Sequence, residues 1–203
     1  MRLTSTICVM VLLVFSIQFS SIAAAASNRF FDYSSGRKTV GVFSSFSDDI
    51  NYYFVQARTK PASTFEIGIK GGMADLSGKG KQGTGAYLGL DGNLNISTME
   101  SSPFLDIFIE LGFSSIIKSR RAHNEFFFGP AGEKTLSESD SLTIKGVLGI
   151  EGAISGGSLF NDEEFDIFLK GGLIVNVGEA AHINLELKGG TDFVGGLGVN
   201  FEF

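Results

Sequence analysis

The chain has 203 residues, a formal net charge of −6, one cysteine, and 27 glycines and 20 phenylalanines against 3 prolines and no tryptophan. This modest acidity disfavours the extended basic face that nucleic-acid binding requires, so no nucleic-acid partner is expected. Mean hydropathy is +0.21, high for a soluble protein, yet beyond residue 26 no apolar run approaches the ~20 residues of a membrane-spanning helix.

The first 26 residues read as a secretory signal peptide. Arg2 is the only charge before Arg29, Ile7 to Phe15 is an apolar core, and Ala23 to Ala26 offers small residues for cleavage. The alternative is an uncleaved anchor, but the run is short and broken by Ser and Gln. Residues 27–203 then form one domain. Cys8 lies in the signal segment, so the mature chain has no thiol for disulfides, zinc-thiolate sites or cysteine catalysis.

Period-two alternation, the mark of a strand with one apolar face, recurs along the domain. A less regular strand is predicted between Thr39 and Ala57. Phe65, Ile67 and Ile69 then oppose Glu66 and Lys70. Ala86, Leu88, Leu90, Leu94 and Ile96 oppose Tyr87, Asp91, Asn93 and Asn95. Leu105, Ile107, Ile109, Leu111 and Phe113 oppose Asp106, Phe108 and Glu110. The stretch from Lys118 to Asp140 is irregular, although Asn124 to Phe128 could add a strand. Leu142, Ile144, Leu148 and Ile150 oppose Thr143, Lys145 and Glu151; Ile167, Leu169, Leu173 and Val175 oppose Asp166, Phe168 and Lys170. From His182 to Phe203 one parity is kept throughout, which implies either a three-residue turn near Thr191 or one long strand. The pattern predicts an all-β, antiparallel up-and-down barrel of about eight strands, with ten as the alternative.

Alternation alone does not say which face points outward. A soluble lipocalin-like, lipid-binding barrel of the periplasm would turn the aliphatic face inward. Three features favour the inverted arrangement. The apolar face is almost wholly Leu, Ile, Val and Phe. The opposite face mixes Gly, Asn, Phe and charges of both signs. Only 19% of residues are charged, low for a water-facing exterior. Charges inside a narrow barrel need partners. The expected lumen network is Glu66, Lys70, Asp106, Glu110, Lys145, Glu151, Asp166, Lys170, Glu186 and Lys188, with Asp91 a further candidate.

Signals for chemistry are few. Lys-Gly-Gly occurs at Lys70, Lys170 and Lys188, where glycine relieves crowding in a narrow barrel. Gly78 to Gly83 lacks the full phosphate-loop pattern and reads as a flexible loop. His123 reads as part of a solvated loop and His182 as a polar residue opening a strand. Neither has a serine at a spacing that suggests a catalytic pair. Asp106 and Glu110 share a strand face, where ion pairing explains them better than acid–base chemistry. Asp162, Glu163 and Glu164 in one loop do not make a metal site. No catalytic residue, cofactor or metal is therefore expected. Lys118, Arg120 and Arg121 could meet lipopolysaccharide phosphates or anionic headgroups, or could be an ordinary charged loop. Phe126 to Phe128 could join an interfacial aromatic girdle.

The chain closes on Leu197, Val199, Phe201 and Phe203, all of one parity. A strand ending on Phe with an aromatic two residues earlier resembles the C-terminal insertion signal of bacterial outer-membrane β-barrels. The alternating pattern over nearly the whole mature chain resembles the OmpA/OmpX-type superfamily of small transmembrane barrels. The resemblance implies an integral, multi-pass outer-membrane protein of a Gram-negative-type envelope. It also implies two kinds of partner: the barrel assembly machinery, reading the terminal strand, and outer-membrane lipid with lipopolysaccharide. No peptidoglycan-binding domain is expected after Phe203, which argues against wall anchoring. A structural or surface-interaction role leads the resulting expectations. A narrow small-solute channel is the alternative, weakened by the inward bulk of Phe108 and Phe168.

Overall fold

The computed structural model describes residues 38–62, 64–77, 82–96, 105–159, 163–178 and 180–203. The signal segment 1–26, residues 78–81 of the glycine-rich loop, and Asp162 lie outside these. Ten antiparallel strands close into one barrel: β1 Thr39–Phe46, β2 Ile50–Ala62, β3 Phe65–Leu76, β4 Gly83–Asn95, β5 Asp106–Lys118, β6 Arg121–Ser139, β7 Leu142–Gly156, β8 Glu163–Val177, β9 Ala181–Gly189 and β10 Phe193–Glu202. Each strand pairs with its sequence neighbours. The closing seam pairs β1 with β10, from Thr39 opposite Glu202 to Phe46 opposite Gly195. Following partners once around the barrel gives a stagger of about 12 residues, which tilts the strands by about 40°.

The count is ten, where eight strands led the sequence reading, and both extra strands have identifiable causes. The single strand expected between Thr39 and Ala57 is a hairpin. Ser47 folds the chain back: its hydroxyl donates to the Ile50 carbonyl at 2.8 Å and accepts from the Ile50 amide at 3.2 Å. The stretch from Lys118 to Asp140 is not a loop but holds the whole of β6. Its face is hidden in sequence because Phe126, Phe127 and Phe128 put an aromatic on both sides of the sheet. The β5–β6 turn has no Asn-Gly signature either. Ser119 and Arg120 take positive φ values of 49° and 67°, the conformation that Asn and Gly usually supply in a two-residue hairpin. Between β9 and β10 the chain makes a short turn, with the Gly190 amide donating to the Asp192 carbonyl at 3.0 Å. His182 to Phe203 is therefore two strands.

The aliphatic faces point outward. Ile107, Ile109, Leu169 and Leu185 are 39%, 40%, 67% and 44% exposed. With Val42, Val55, Ile69, Leu88, Leu90, Leu111, Phe113, Leu148, Ile150 and Leu197 they form a continuous apolar belt. The strands that carry it are 8 to 19 residues long. At about 3.3 Å per residue and this tilt, most span an apolar layer about 25 Å tall.

An even strand number puts both barrel termini at one end. The hairpins β1–β2, β3–β4, β5–β6, β7–β8 and β9–β10 turn at the opposite end.

Candidate functional site in the barrel interior

The interior is built from the residues that alternate with the belt, and it is layered. Towards the hairpin end the fill is apolar and aromatic: Phe43, Ile50, Tyr52, Phe54, Leu76, Tyr87, Ile116, Phe127, Phe168 and Val194 form one buried cluster. Phe43 stacks on Phe54 at 5.2 Å between centroids, and Tyr87 lies 5.0 Å from Tyr52 and 5.4 Å from Phe54. Such ring pairs add to the burial of their area. Glycines on the same inward face make the room. A Cβ on Gly72 would stand 2.6 Å from Phe54 Cα, and one on Gly190 would stand 2.8 Å from the Phe168 ring. Two of the three Lys-Gly-Gly repeats thus place a glycine against a plug residue, Gly72 against the Phe54 backbone and Gly190 against the Phe168 ring.

Below the aromatics lies a charged layer in two groups. In the first, Arg58 Nε donates to Glu66 Oε1 at 2.6 Å, and Arg58 Nη1 pairs with Asp91 Oδ2 at 2.7 Å. Lys70 Nζ is 3.4 Å from Asp91 Oδ1 and lies over the Phe54 and Phe127 rings, at 5.7 and 6.0 Å. With its amide oxygen turned to the guanidinium, Asn93 accepts from Arg58 Nη2 at 2.8 Å.

The second group crosses the lumen. Lys170 on β8 donates to both carboxylate oxygens of Glu110 on β5, at 2.6 and 2.5 Å. Lys188 on β9 donates to Glu151 on β7 at 2.8 Å. Glu186 stands between the two ammonium groups, 4.0 Å from Lys170 and 3.6 Å from Lys188. Both lysines are 2% exposed. Nearer the terminus end, Lys145 pairs with Glu133 at 2.8 Å, and Phe108, Ala131, Val147 and Ile174 make a second apolar cluster.

Eight of the ten residues singled out from the sequence thus line the interior: Glu66, Lys70, Glu110, Lys145, Glu151, Lys170, Glu186 and Lys188. The other two are elsewhere. Asp106 is exposed where β5 begins at the terminus end. Asp166 accepts from the Thr191 hydroxyl at 2.6 Å near the surface. Arg58, Glu125 and Glu133 are interior charges that the sequence reading did not single out. Arg58 fell just past the assumed end of an irregular strand, and both glutamates fell in the assumed loop. Their signal was parity with Gln56 and with Phe127, legible only once β2 and β6 are recognised.

Both histidines also differ from the expectation. His123 is not in a solvated loop. It faces inward on β6 near the hairpin end and is buried. His182 faces inward at the terminus end, its Nδ1 2.9 Å from Asn176 Oδ1 and its Nε2 3.3 Å from Glu202 Oε2. The imidazoles therefore sit at opposite ends of the barrel. Among the described residues no three acidic, histidine or cysteine side chains are grouped to hold a metal ion.

Of the terminal-strand residues, Leu197 and Phe201 project into the belt and Val199 is half-buried between neighbouring strands. Phe203 is 71% exposed, and its amide donates to the Lys38 carbonyl at 3.0 Å, tying the end of the chain across the seam. An outward groove of about 310 Å³ lies beside it, walled by Val40, Ala57, Ile67 and Ile69.

No protein-family profile matches the chain, and no curated protein matches it. Solved structures of outer-membrane β-barrels do match. The N-terminal β-barrel domain of Pseudomonas aeruginosa OprF is 14% identical, with 83% of this chain and 98% of that one covered and a TM-score of 0.40. The KdgM porin, solved with disordered oligogalacturonate, is 12% identical over 81% and 99%, with a TM-score of 0.42. LpxR from Salmonella typhimurium is 7% identical over 84% and 85%, with a TM-score of 0.46.

Proposed function

We propose that this chain is a small integral outer-membrane β-barrel with a structural or surface-interaction role and a lumen closed to solutes. One observation carries the membrane assignment: a belt of Leu, Ile, Val and Phe surrounds an interior of paired charges. In water such a barrel would be destabilised by its exposed apolar area, with no gain from the ions it buries inside. In lipid the same exterior is solvated by acyl chains, and closure leaves no unpaired strand edge. The hydrocarbon of the membrane and its lipopolysaccharide are then the principal partners of the surface. The strand bearing Leu197, Val199, Phe201 and Phe203 is the part offered to the assembly machinery.

The plug supports the closed-lumen reading. Lys170 and Glu110 meet across the barrel, and Tyr52, Tyr87, Phe127 and Phe168 are almost fully buried on the hairpin side of that pair. A narrow channel would leave such side chains in contact with water. The same packing supports a non-catalytic reading, since the interior carboxylates Glu66, Glu110 and Glu151 are engaged with cations.

Fractionation tests the first part. The mature protein is expected with outer membranes and with heat-modifiable gel mobility. Recovery as a soluble periplasmic protein would overturn the assignment in favour of the lipocalin-like barrel. Proteoliposome swelling tests the second, with no uptake of small sugars expected. Swelling above the protein-free rate would restore the channel.

A further inference from the structure

The β5–β6 hairpin stands apart from the other described turns of its rim. Among the described residues the cations at this end are Lys118, Arg120 and Arg121, all on one tight turn. Arg120 and Arg121 are exposed; Lys118 is half-buried, its ammonium donating to the Gln82 carbonyl at 2.5 Å. The other described turns at this end are acidic, with Asp48 and Asp49 between β1 and β2, Glu163 and Glu164 opening β8, and Asp192 between β9 and β10. Among the described residues of this rim, positive charge is therefore concentrated on this one hairpin.

Directly beneath the hairpin the outer surface is aromatic. Phe113 is opposite Phe126 across the β5–β6 pair, and Phe126 lies 6.0 Å from Phe128. All three rings point away from the barrel, as does Ile117 nearer the tip. Above Phe113 and Phe126 come outward Ser115 opposite Asn124 and Ile117 opposite Ala122; the last pair, Lys118 opposite Arg121, has the inward parity of Ile116 and His123, and Arg120 is exposed at the tip. Five residues of tilted strand raise the turn about 12 Å above the Phe113–Phe126 pair. That is the spacing between the upper hydrocarbon and the phosphates of a lipid leaflet.

From this stacking we infer that the hairpin is a binding site for a phosphate-bearing anionic lipid of the leaflet at that end. Arg120, exposed at the tip, takes the phosphate with Arg121 beside it on the rim, and Phe113, Phe126 and Phe128 take the acyl chains. Arginine suits the role because its planar fork donates two hydrogen bonds to a phosphate. The main-chain geometry helps: with Ser119 and Arg120 both at positive φ the turn is tight and holds the arginines close to the sheet rather than on a long loop. The site depends on the membrane-barrel reading above.

The test uses the full barrel refolded into phosphatidylcholine bilayers containing spin-labelled phosphatidic acid or spin-labelled phosphatidylcholine. Flotation with the vesicles is measured first; failure to float would defeat the membrane assignment itself. For floating protein, the motionally restricted fraction gives the relative association of the two lipids. A preference of about five- to tenfold for phosphatidic acid is expected. It should be lost in R120Q/R121Q and retained in K60Q/K134Q, which removes two cations from the opposite rim. No preference in the parent protein, or equal loss in both double variants, would overturn the site. Displacement of the labelled lipid by inorganic phosphate beyond that caused by chloride at equal ionic strength would also overturn it, since the chains would then contribute nothing.

Discussion

Lys170→Met and Glu186→Gln should have opposite consequences, although the two side chains belong to one cluster. Six interior groups define it: Lys170 and Lys188 against Glu110, Glu151 and Glu186, with buried Glu125 also facing Lys188. Carboxylates outnumber ammonium groups by two. Lys170 also makes the shortest contacts of the cluster, to both oxygens of Glu110. Removing it leaves Glu110 buried with its two hydrogen bonds gone and leaves four carboxylates facing one cation. Breaking a buried pair from one side costs about 3–5 kcal/mol. Glu186 approaches the same two ammonium groups less closely, at 4.0 and 3.6 Å. Its replacement by Gln removes one surplus carboxylate and leaves both cations in their close pairs, so a change within about 1 kcal/mol is expected. Pairing Lys170→Met with Glu110→Gln should recover much of the loss, because the stranded carboxylate is gone. Reversible urea unfolding in lipid vesicles, followed by tyrosine fluorescence and by gel mobility, would measure these differences. Glu186→Gln costing as much as Lys170→Met would refute the charge count. So would a Lys170→Met cost below about 1 kcal/mol, which would mean that water reaches the pair and screens it.

Three other outcomes follow from the exterior and the seam. Gly198→Ala should destabilise the barrel by about 1–3 kcal/mol, because the new methyl group would displace the Phe43 ring packed over Gly198 across β1 and β10; Phe43→Leu in the same chain should recover part of it, and simple additivity in urea unfolding would count against the contact. Ile109→Arg, in the middle of the outward run from Leu105 to Phe113, should cost about 2–4 kcal/mol in lipid, and Ile117→Arg near the rim about 0–1 kcal/mol; equal costs would mean that the belt is not aligned with the bilayer as described. Phe203→Ala should leave refolding in detergent nearly unchanged, since the ring is largely exposed, while membrane yield in cells falls; matched losses in the two assays would make Phe203 an ordinary structural residue.

Much of the architecture was legible because a strand with one apolar face writes its period directly into the chain. In a segment such as Ile183-Asn184-Leu185-Glu186-Leu187-Lys188 the side of every residue follows from its neighbours. Composition suggested the direction of the faces as well, since so few charges could not have covered a soluble exterior. Three things needed the tertiary structure. The number of strands did, because the β5–β6 turn uses Ser119 and Arg120 where glycine or asparagine would have announced it, and because Phe126 to Phe128 blur the period of β6. The pairing of charges did, because Glu110 and Lys170 are sixty residues apart and meet only when stagger and closure bring β5 and β8 to face each other across the lumen. The layering of aromatics above ions did too. Alternation says that a side chain points inward, but its height in the barrel depends on the register of every strand pair between it and its neighbour, a quantity that no single segment contains.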